Sequence, residues 1–318
     1  MAARVEAITL SDGSPGYQLA SANGRLQATV APRDGGGVSS LRWDGRELLY
    51  RANQFEPPDP GEWMGRAPLL WPAVGRNFTP AALAAGRTEC CFEYQGKVYD
   101  LPIHGFTRHR AWEPVGHGAD AQAAWVILAL EDDQATRAVY PWPFRLVMTH
   151  RLEDGGLVTT VAVQSSADLM FGIGNHLTLS IPDAFDDVEV DSNVTCRHLL
   201  TDRSLLTDPT VPEEFEDSRS LADTSLHNAV LGCATEEPYF AVIFPDGLVL
   251  TVTQEVTHGR ECCADENFLI VLYGNPETRY FCTEPWIGRP NGLQTGRGVV
   301  RLPAGQRFEW AMRLTVGS

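Results

Sequence analysis

Four short segments, far apart in the chain, carry the residue types from which a catalytic or binding site could be built. Ala67–Asn77 is an apolar run broken by two prolines that ends in Gly75-Arg76-Asn77. Proline removes a ladder donor, so this run is not an ordinary central strand, and its end can present a guanidinium and an amide from a loop. Leu101–His109 holds His104 between an isoleucine and Gly105-Phe106, a setting that can expose an imidazole to a ligand. In Phe171–Leu179 the polar pair Asn175-His176 interrupts an otherwise apolar extended stretch. Buried polar groups need hydrogen-bond partners or cost a few kcal/mol, so this pair is either networked or useful. Tyr280–Arg289 carries Glu284 ahead of Pro285-Trp286. A carboxylate among apolar and aromatic groups has a raised pKa, which suits a general acid or base. Each segment also has a plain structural reading: a surface ion pair for Arg76, a core position for either histidine, a pairing of Glu284 with Arg289.

These side chains need a scaffold, and the periodicity says which. Phe144, Leu146, Met148, His150 and Leu152 fall on one face of an extended segment, with Arg145, Val147, Thr149 and Arg151 on the other. Glu153-Asp154-Gly155-Gly156 supplies turn chemistry before the pattern resumes at Leu157–Val163, which predicts a hairpin. The same pattern recurs on either side of Pro245-Asp246-Gly247, Asp44-Gly45 and Gln95-Gly96. Only short windows such as Pro80–Ala85 suit a helical turn. The 29 glycines and 21 prolines punctuate short strands, so the expected fold is all-β, a large antiparallel sandwich. Asn53–Glu62 and Thr201–Asp223 read as long loops, often functional on such a scaffold. With no linker or composition break, residues 1–318 are expected to form one domain.

Composition narrows the function classes. The formal charge of −16 repels phosphate backbones and anionic lipid, which argues against nucleic-acid and membrane-surface roles. No apolar stretch approaches the roughly 20 residues of a membrane span, and the first residues carry no secretory h-region. The seven cysteines include the vicinal pairs Cys90-Cys91 and Cys262-Cys263, which suit reduced thiols and a cytoplasmic location. The eight histidines show no HxH or HExxH spacing; no metal and no cofactor is expected.

Taken together and in order, the segments resemble the aldose 1-epimerase (galactose mutarotase) superfamily. The resemblance rests on Pro72-Ala73-Val74-Gly75-Arg76, His104-Gly105-Phe106, Asn175-His176 and Glu284-Pro285-Trp286. It extends over nearly the whole chain, and its final stretch is most similar to a less characterised bacterial branch. It implies the mutarotase supersandwich, a monomer or homodimer acting on a small sugar, and interconversion of α and β anomers. By resemblance, Glu284 takes the proton of the anomeric hydroxyl and His176 gives one to the ring oxygen. Arg76, His104 and Asn175 would hold sugar hydroxyls, and Trp286 would stack on the sugar ring. Galactose mutarotases carry a further hydroxyl-gripping aspartate; here the candidates are Asn228 and Asp223. Two alternatives stay open. One is an epimerase of a hexose phosphate or specialised sugar derivative, for which Arg66, Arg108 and Arg289 are available. The other is a non-catalytic sugar-binding protein, disfavoured because binding alone needs no acid–base pair.

Overall fold

The alternation read along Phe144–Leu152 becomes a half-buried strand, Arg145–Glu153, whose residues Leu146, Met148, His150 and Leu152 are all buried. It forms a hairpin with Gly156–Gln164, Glu153 opposite Gly156, closed by Asp154-Gly155. The other turn signals also close hairpins: Val38–Trp43 with Arg46–Glu47, Cys91–Tyr94 with Lys97–Asp100, and Tyr239–Ile243 with Val249–His258. The structure is a computed structural model and describes residues 2–60, 62–233 and 238–317.

Two large antiparallel sheets dominate among the described residues. One has nine strands, with the long strands Val249–His258, Arg307–Gly317, Gly156–Gln164 and Arg145–Glu153 side by side at its centre. The second runs through Ala229–Gly232, Phe268–Asn275 and Tyr280–Ile287 to Ile173–Asn175 and ends at Leu69–Leu70. One continuous apolar cluster joins them, with Leu146, Phe308 and Met312 from the first and Ile270, Leu272 and Phe281 from the second. The expected all-β sandwich is therefore the observed fold. Gln254 also ties the sheets together. Its amide donates to the Leu269 and Trp286 carbonyls at 2.9 and 3.2 Å and its oxygen accepts from the Trp310 indole at 3.1 Å. A third sheet of five strands starts the chain, Arg4–Thr9 to Arg46–Glu47.

Helices are few and short. Pro80–Ala84 forms where the proline and the Thr79 cap place it. Gln134–Val139 was not expected; the reciprocal cap between Asp133 and Thr136 nucleates it. The Thr201–Asp223 stretch is less of a loop than expected, since Val211–Pro212 and Arg219–Ser220 each add a short strand to a sheet edge. All seven cysteines are free thiols. Among the described residues no helix is long and apolar enough to cross a membrane.

His150 gives the core a pH dependence. Its ring nitrogens lie 2.9 Å from the Thr159 hydroxyl and 2.8 Å from the Gly36 carbonyl. Burial pulls its pKa down to about 4. An unfolded histidine titrates near 6.5, so between these values the unfolded chain binds the extra proton and stability rises with pH. The neutral ring should therefore contribute about 3 kcal/mol above pH 6.5 that is lost on acidification to pH 4. In denaturant titrations at pH 7 and 4.5, the stability gap between wild type and His150→Gln is expected to narrow at the lower pH. A gap that stays constant would show that His150 does not titrate with unfolding.

Candidate active site

Along Tyr280–Ile287 the period of two splits the side chains between the sandwich core and a cavity. Phe281 and Ile287 join the main core, while Trp286 packs on the opposite face with Val230, Leu269 and Val271 from the neighbouring strands. Cys282 and Glu284, in step with Trp286, share that second face. Glu284 is only 2% exposed, yet it lines a cavity of about 420 Å3. The Trp286 indole N–H donates to its carboxylate at 3.2 Å.

Opposite Glu284 stands His176, at the break between the strands Ile173–Asn175 and Leu177–Ser180, both of which pair with Tyr280–Ile287. Its backbone N–H donates to the Pro68 carbonyl at 3.0 Å. The interruption by Asn175-His176 is thus where the chain leaves one ladder and joins the segment that starts at Arg66. His176 Nε2 lies 3.4 Å from a Glu284 oxygen. Its Nδ1 is buried with no hydrogen bond to another of the described residues.

His104 and Gly105 both have left-handed backbone, φ 63° and 73°, and this turn sends the His104 ring into the cavity. Gly75 and His104 clasp each other. The Gly75 N–H donates to His104 Nδ1 at 3.0 Å, and the His104 N–H donates to the Gly75 carbonyl at 3.1 Å. With Nδ1 accepting, the neutral ring carries its proton on Nε2 as a free donor. The His104 ring meets those of His176 and Trp286 edge-on, at 5.4 and 5.5 Å. Arg76, next in the chain, also lines the cavity, its backbone carbonyl accepting from the Asn291 N–H at 2.7 Å; no hydrogen bond or ion pair of its guanidinium is present among the described residues.

The sequence candidates divide here. Glu284, His176, Arg76, His104, Trp286 and Asn228 all line the one cavity. Asn175 does not. Its amide donates to the Ala67 carbonyl at 3.1 Å on the far side of the strand, because neighbours in extended chain point to opposite faces. Of the two hydroxyl-binding candidates, Asn228 reaches the cavity from a left-handed position, φ 66°. Asp223 instead caps a 3-10 turn and pairs with Arg219. Among the three arginines considered for a phosphate, only Arg108 lines the cavity; Arg66 pairs with Asp34, and Arg289 contacts His198 and Asp208. Trp63, the residue just after the long loop Asn53–Glu62, was missed. Its ring stacks on His176 at 3.9 Å and 27°.

The electrostatics follow from burial. Desolvation raises Glu284 well above the carboxylate range, opposed by the Trp286 hydrogen bond and the Arg108 charge. Desolvation, then the Arg108 charge, pushes His176 well below the imidazole range. A hydrogen bond with its own backbone opposes the His176 shift, and the two shifts together favour the uncharged pair. Burial, then His176, Arg108 and Arg76, keeps His104 neutral. Arg108 donates to the Ile103 carbonyl at 3.2 Å and to His109, while burial lowers it to about 10. Nitrogen, sulfur and oxygen atoms of His176, Cys282 and Glu284 lie within 4.8 Å of one another, the spacing of a possible metal donor set. Burial, then the Glu284 charge, raises the Cys282 thiol pKa, and its Sγ donates to the Thr178 hydroxyl at 3.6 Å.

A buried carboxylate and imidazole facing one cavity, with an arginine and a second histidine beside them, can move protons on and off a polar ligand. Residues 17–232 match the family model described as aldose 1-epimerase, which is more than half of the chain. The chain belongs to the aldose 1-epimerase family. That match includes Arg76, His104 and His176; Glu284 and Trp286 lie beyond it. The fold of this family member is similar to that of a galactose mutarotase-like protein from Clostridium acetobutylicum, with TM-score 0.80, 15% identity, and 100% of this chain and 99% of that one covered. It is also similar to a galactose mutarotase related enzyme from Lactobacillus acidophilus, with TM-score 0.76, 20% identity and coverage of 95% and 97%. A Salmonella typhimurium protein bearing the name "Putative glucose-6-phosphate 1-epimerase" is 23% identical over 146 residues. That alignment takes in 40% of this chain and 50% of the relative, so the chain spans about half the length of the curated relative it matches.

Proposed function

We propose that the protein is a mutarotase that opens and recloses the ring of an aldose by proton transfer between Glu284 and His176. The observation that carries this reading is their 3.4 Å contact at the wall of the cavity. Opening the ring removes the proton of the C1 hydroxyl and adds one to the ring oxygen, so two groups that together hold one proton suffice. Sugar hydroxyls that reach the pair stabilise its ionised form, Glu284 carboxylate with His176 imidazolium, and from that form Glu284 takes the first proton as His176 releases the second. The open aldehyde then faces an uncharged pair, the state that burial favours. After C1 turns about the C1–C2 bond, Glu284 returns its proton to the aldehyde oxygen and His176 recovers one from the ring hydroxyl. The His104 Nε2–H and the Arg76 guanidinium hold hydroxyls or the ring oxygen, the arginine as a rigid fork. Trp286 offers its ring face to the sugar, and Asn228 a side-chain amide at the rim.

The test is polarimetry on freshly dissolved α-D-glucose and α-D-galactose. Faster relaxation to an unchanged final rotation supports the reading. No acceleration of either sugar or of a hexose 6-phosphate would overturn it.

A phosphorylated aldose is a second reading, favoured by one observation: Arg76 and Arg108 line the same cavity, and neither forms an ion pair among the described residues. The printed name of the Salmonella relative agrees with it. Arg108→Met is then expected to raise KM for a hexose 6-phosphate at least about tenfold, the effect of losing one charged hydrogen bond, and to change KM for the free hexose less. Equal changes for both substrates would remove Arg108 from phosphate recognition.

A further inference from the structure

His176 lacks what normally fixes a working imidazole. A partner on the other ring nitrogen sets both tautomer and orientation, and here the buried Nδ1 has no hydrogen bond to another of the described residues, the ring's backbone hydrogen bond being with His176 itself. The contact from Nε2 to Glu284 is 3.4 Å, long for a hydrogen bond that must hold a ring by itself. What lies against the ring is Trp63, stacked at 3.9 Å and 27°. Trp63 is in turn tied down. Its indole N–H donates to the Thr178 hydroxyl at 2.9 Å, and that hydroxyl donates to the carbonyl of His176 itself at 3.0 Å. The brace therefore closes on the residue it braces. The Arg108 guanidinium sits over the same indole, 5.4 Å from the ring centre, so one tryptophan borders both Arg108 and the His176 ring.

We infer that Trp63 is a positioning residue that sets the plane of the His176 ring through stacking, with Thr178 as its anchor. The indole face also steadies the ring when it carries a proton, since a cation over an aromatic face is attracted most when desolvated. This inference rests on the acid–base reading of His176 for its kinetic consequence, though not for its structural content.

The experiment uses the full chain and compares wild type with Trp63→Leu, Trp63→Phe and Thr178→Val. The structural readout is the proton spectrum of the His176 ring in protein labelled at histidine, assigned through His176→Asn. Stacking on an indole shifts the ring protons upfield. That shift should be present in wild type, reduced in Thr178→Val and absent in Trp63→Leu. The kinetic readout is the split between kcat and KM. Trp63→Leu is expected to lower kcat about tenfold, the equivalent of an aromatic pair of 0.5–1.5 kcal/mol, with KM within about threefold. Trp63→Phe, which keeps a ring without the N–H, should restore most of kcat. Unshifted His176 protons in wild type would overturn the inference. So would a Trp63→Leu protein with unchanged kcat and a raised KM, which would make Trp63 a substrate wall only. If Glu284→Gln proves fully active, the acid–base reading fails while the spectrum still decides whether Trp63 holds the ring.

Discussion

Glu284→Gln is expected to lower kcat for mutarotation by about 10²–10⁴-fold, the usual contribution of a positioned proton-transfer group, with KM nearly unchanged. The amide is isosteric, and its oxygen can still accept from the Trp286 indole, so the hydrogen bond seen at 3.2 Å need not be lost. It also removes a carboxyl that is 2% exposed, and replacing a buried ionisable group with a neutral one that keeps its partner costs little stability. The melting temperature should therefore stay near that of wild type while turnover collapses. His176→Asn is expected to act alike. The double variant should be no slower than the slower single one, because groups that work as a unit do not contribute additively. The measurement is polarimetry with saturating sugar alongside thermal unfolding. A Glu284→Gln protein within about threefold of wild-type kcat would remove the carboxylate from the chemistry. Normal sugar binding without turnover would separate an enzyme from a sugar-binding protein on the same fold.

How much of this site is legible in the sequence depends on the range of the interaction that makes it. Glu284 and Trp286 are two apart in a strand-like run, so one face is implied by the period of two alone. The same rule applies to Asn175 and His176, which cannot both face one cavity in extended chain; the structure puts Asn175 against the Ala67 carbonyl. His104 is marked by Gly105, because that turn needs a residue without a side chain. Trp63 carries no such mark. Its segment has no periodicity, and its partners Thr178 and His176 lie more than a hundred positions away; backbone hydrogen bonds from His176 to Pro68 and from Thr178 to Arg66 bring the two segments side by side. Arg108 stood in the sequence as one of three equivalent arginines. The ion pairing of Arg66 with Asp34 and the contacts of Arg289 with His198 and Asp208 distinguish them, and such pairings exist only once the chain is folded. The hairpins were legible because turn chemistry and alternation are both local; the order of the strands within each sheet was not, because it is set by contacts between distant segments.

The second large effect is expected at Gly105, where the fold and the site depend on one missing methyl group. A Cβ there would lie 2.0 Å from the Trp71 carbonyl oxygen and 2.4 Å from its carbon, far inside contact distance. Neither atom can give way easily. Trp71 is fully buried, with its ring packed among Phe106, Tyr140 and Phe144 at 4.5–5.7 Å, and its carbonyl accepts from the Phe106 N–H at 3.2 Å. The other party to the clash is the turn that carries His104. Relief must push that turn outward, opening the clasp between His104 and Gly75 and moving the imidazole out of the cavity. Gly105→Ala should thus lose stability twice over, by roughly 1–2 kcal/mol for a left-handed backbone with a side chain and by about 1–3 kcal/mol for overpacking. Gly96 is the matched control. Its φ is 77° and a Cβ there would meet nothing within 4 Å, so Gly96→Ala carries the backbone cost without the clash. Denaturant unfolding of both variants should show Gly105→Ala the less stable by at least about 1 kcal/mol, with turnover impaired in that variant alone under conditions where both are folded. Equal stability and equal activity would mean that the turn can retreat from Trp71 without disturbing His104, and that His104 does not depend on this close approach for its place in the cavity.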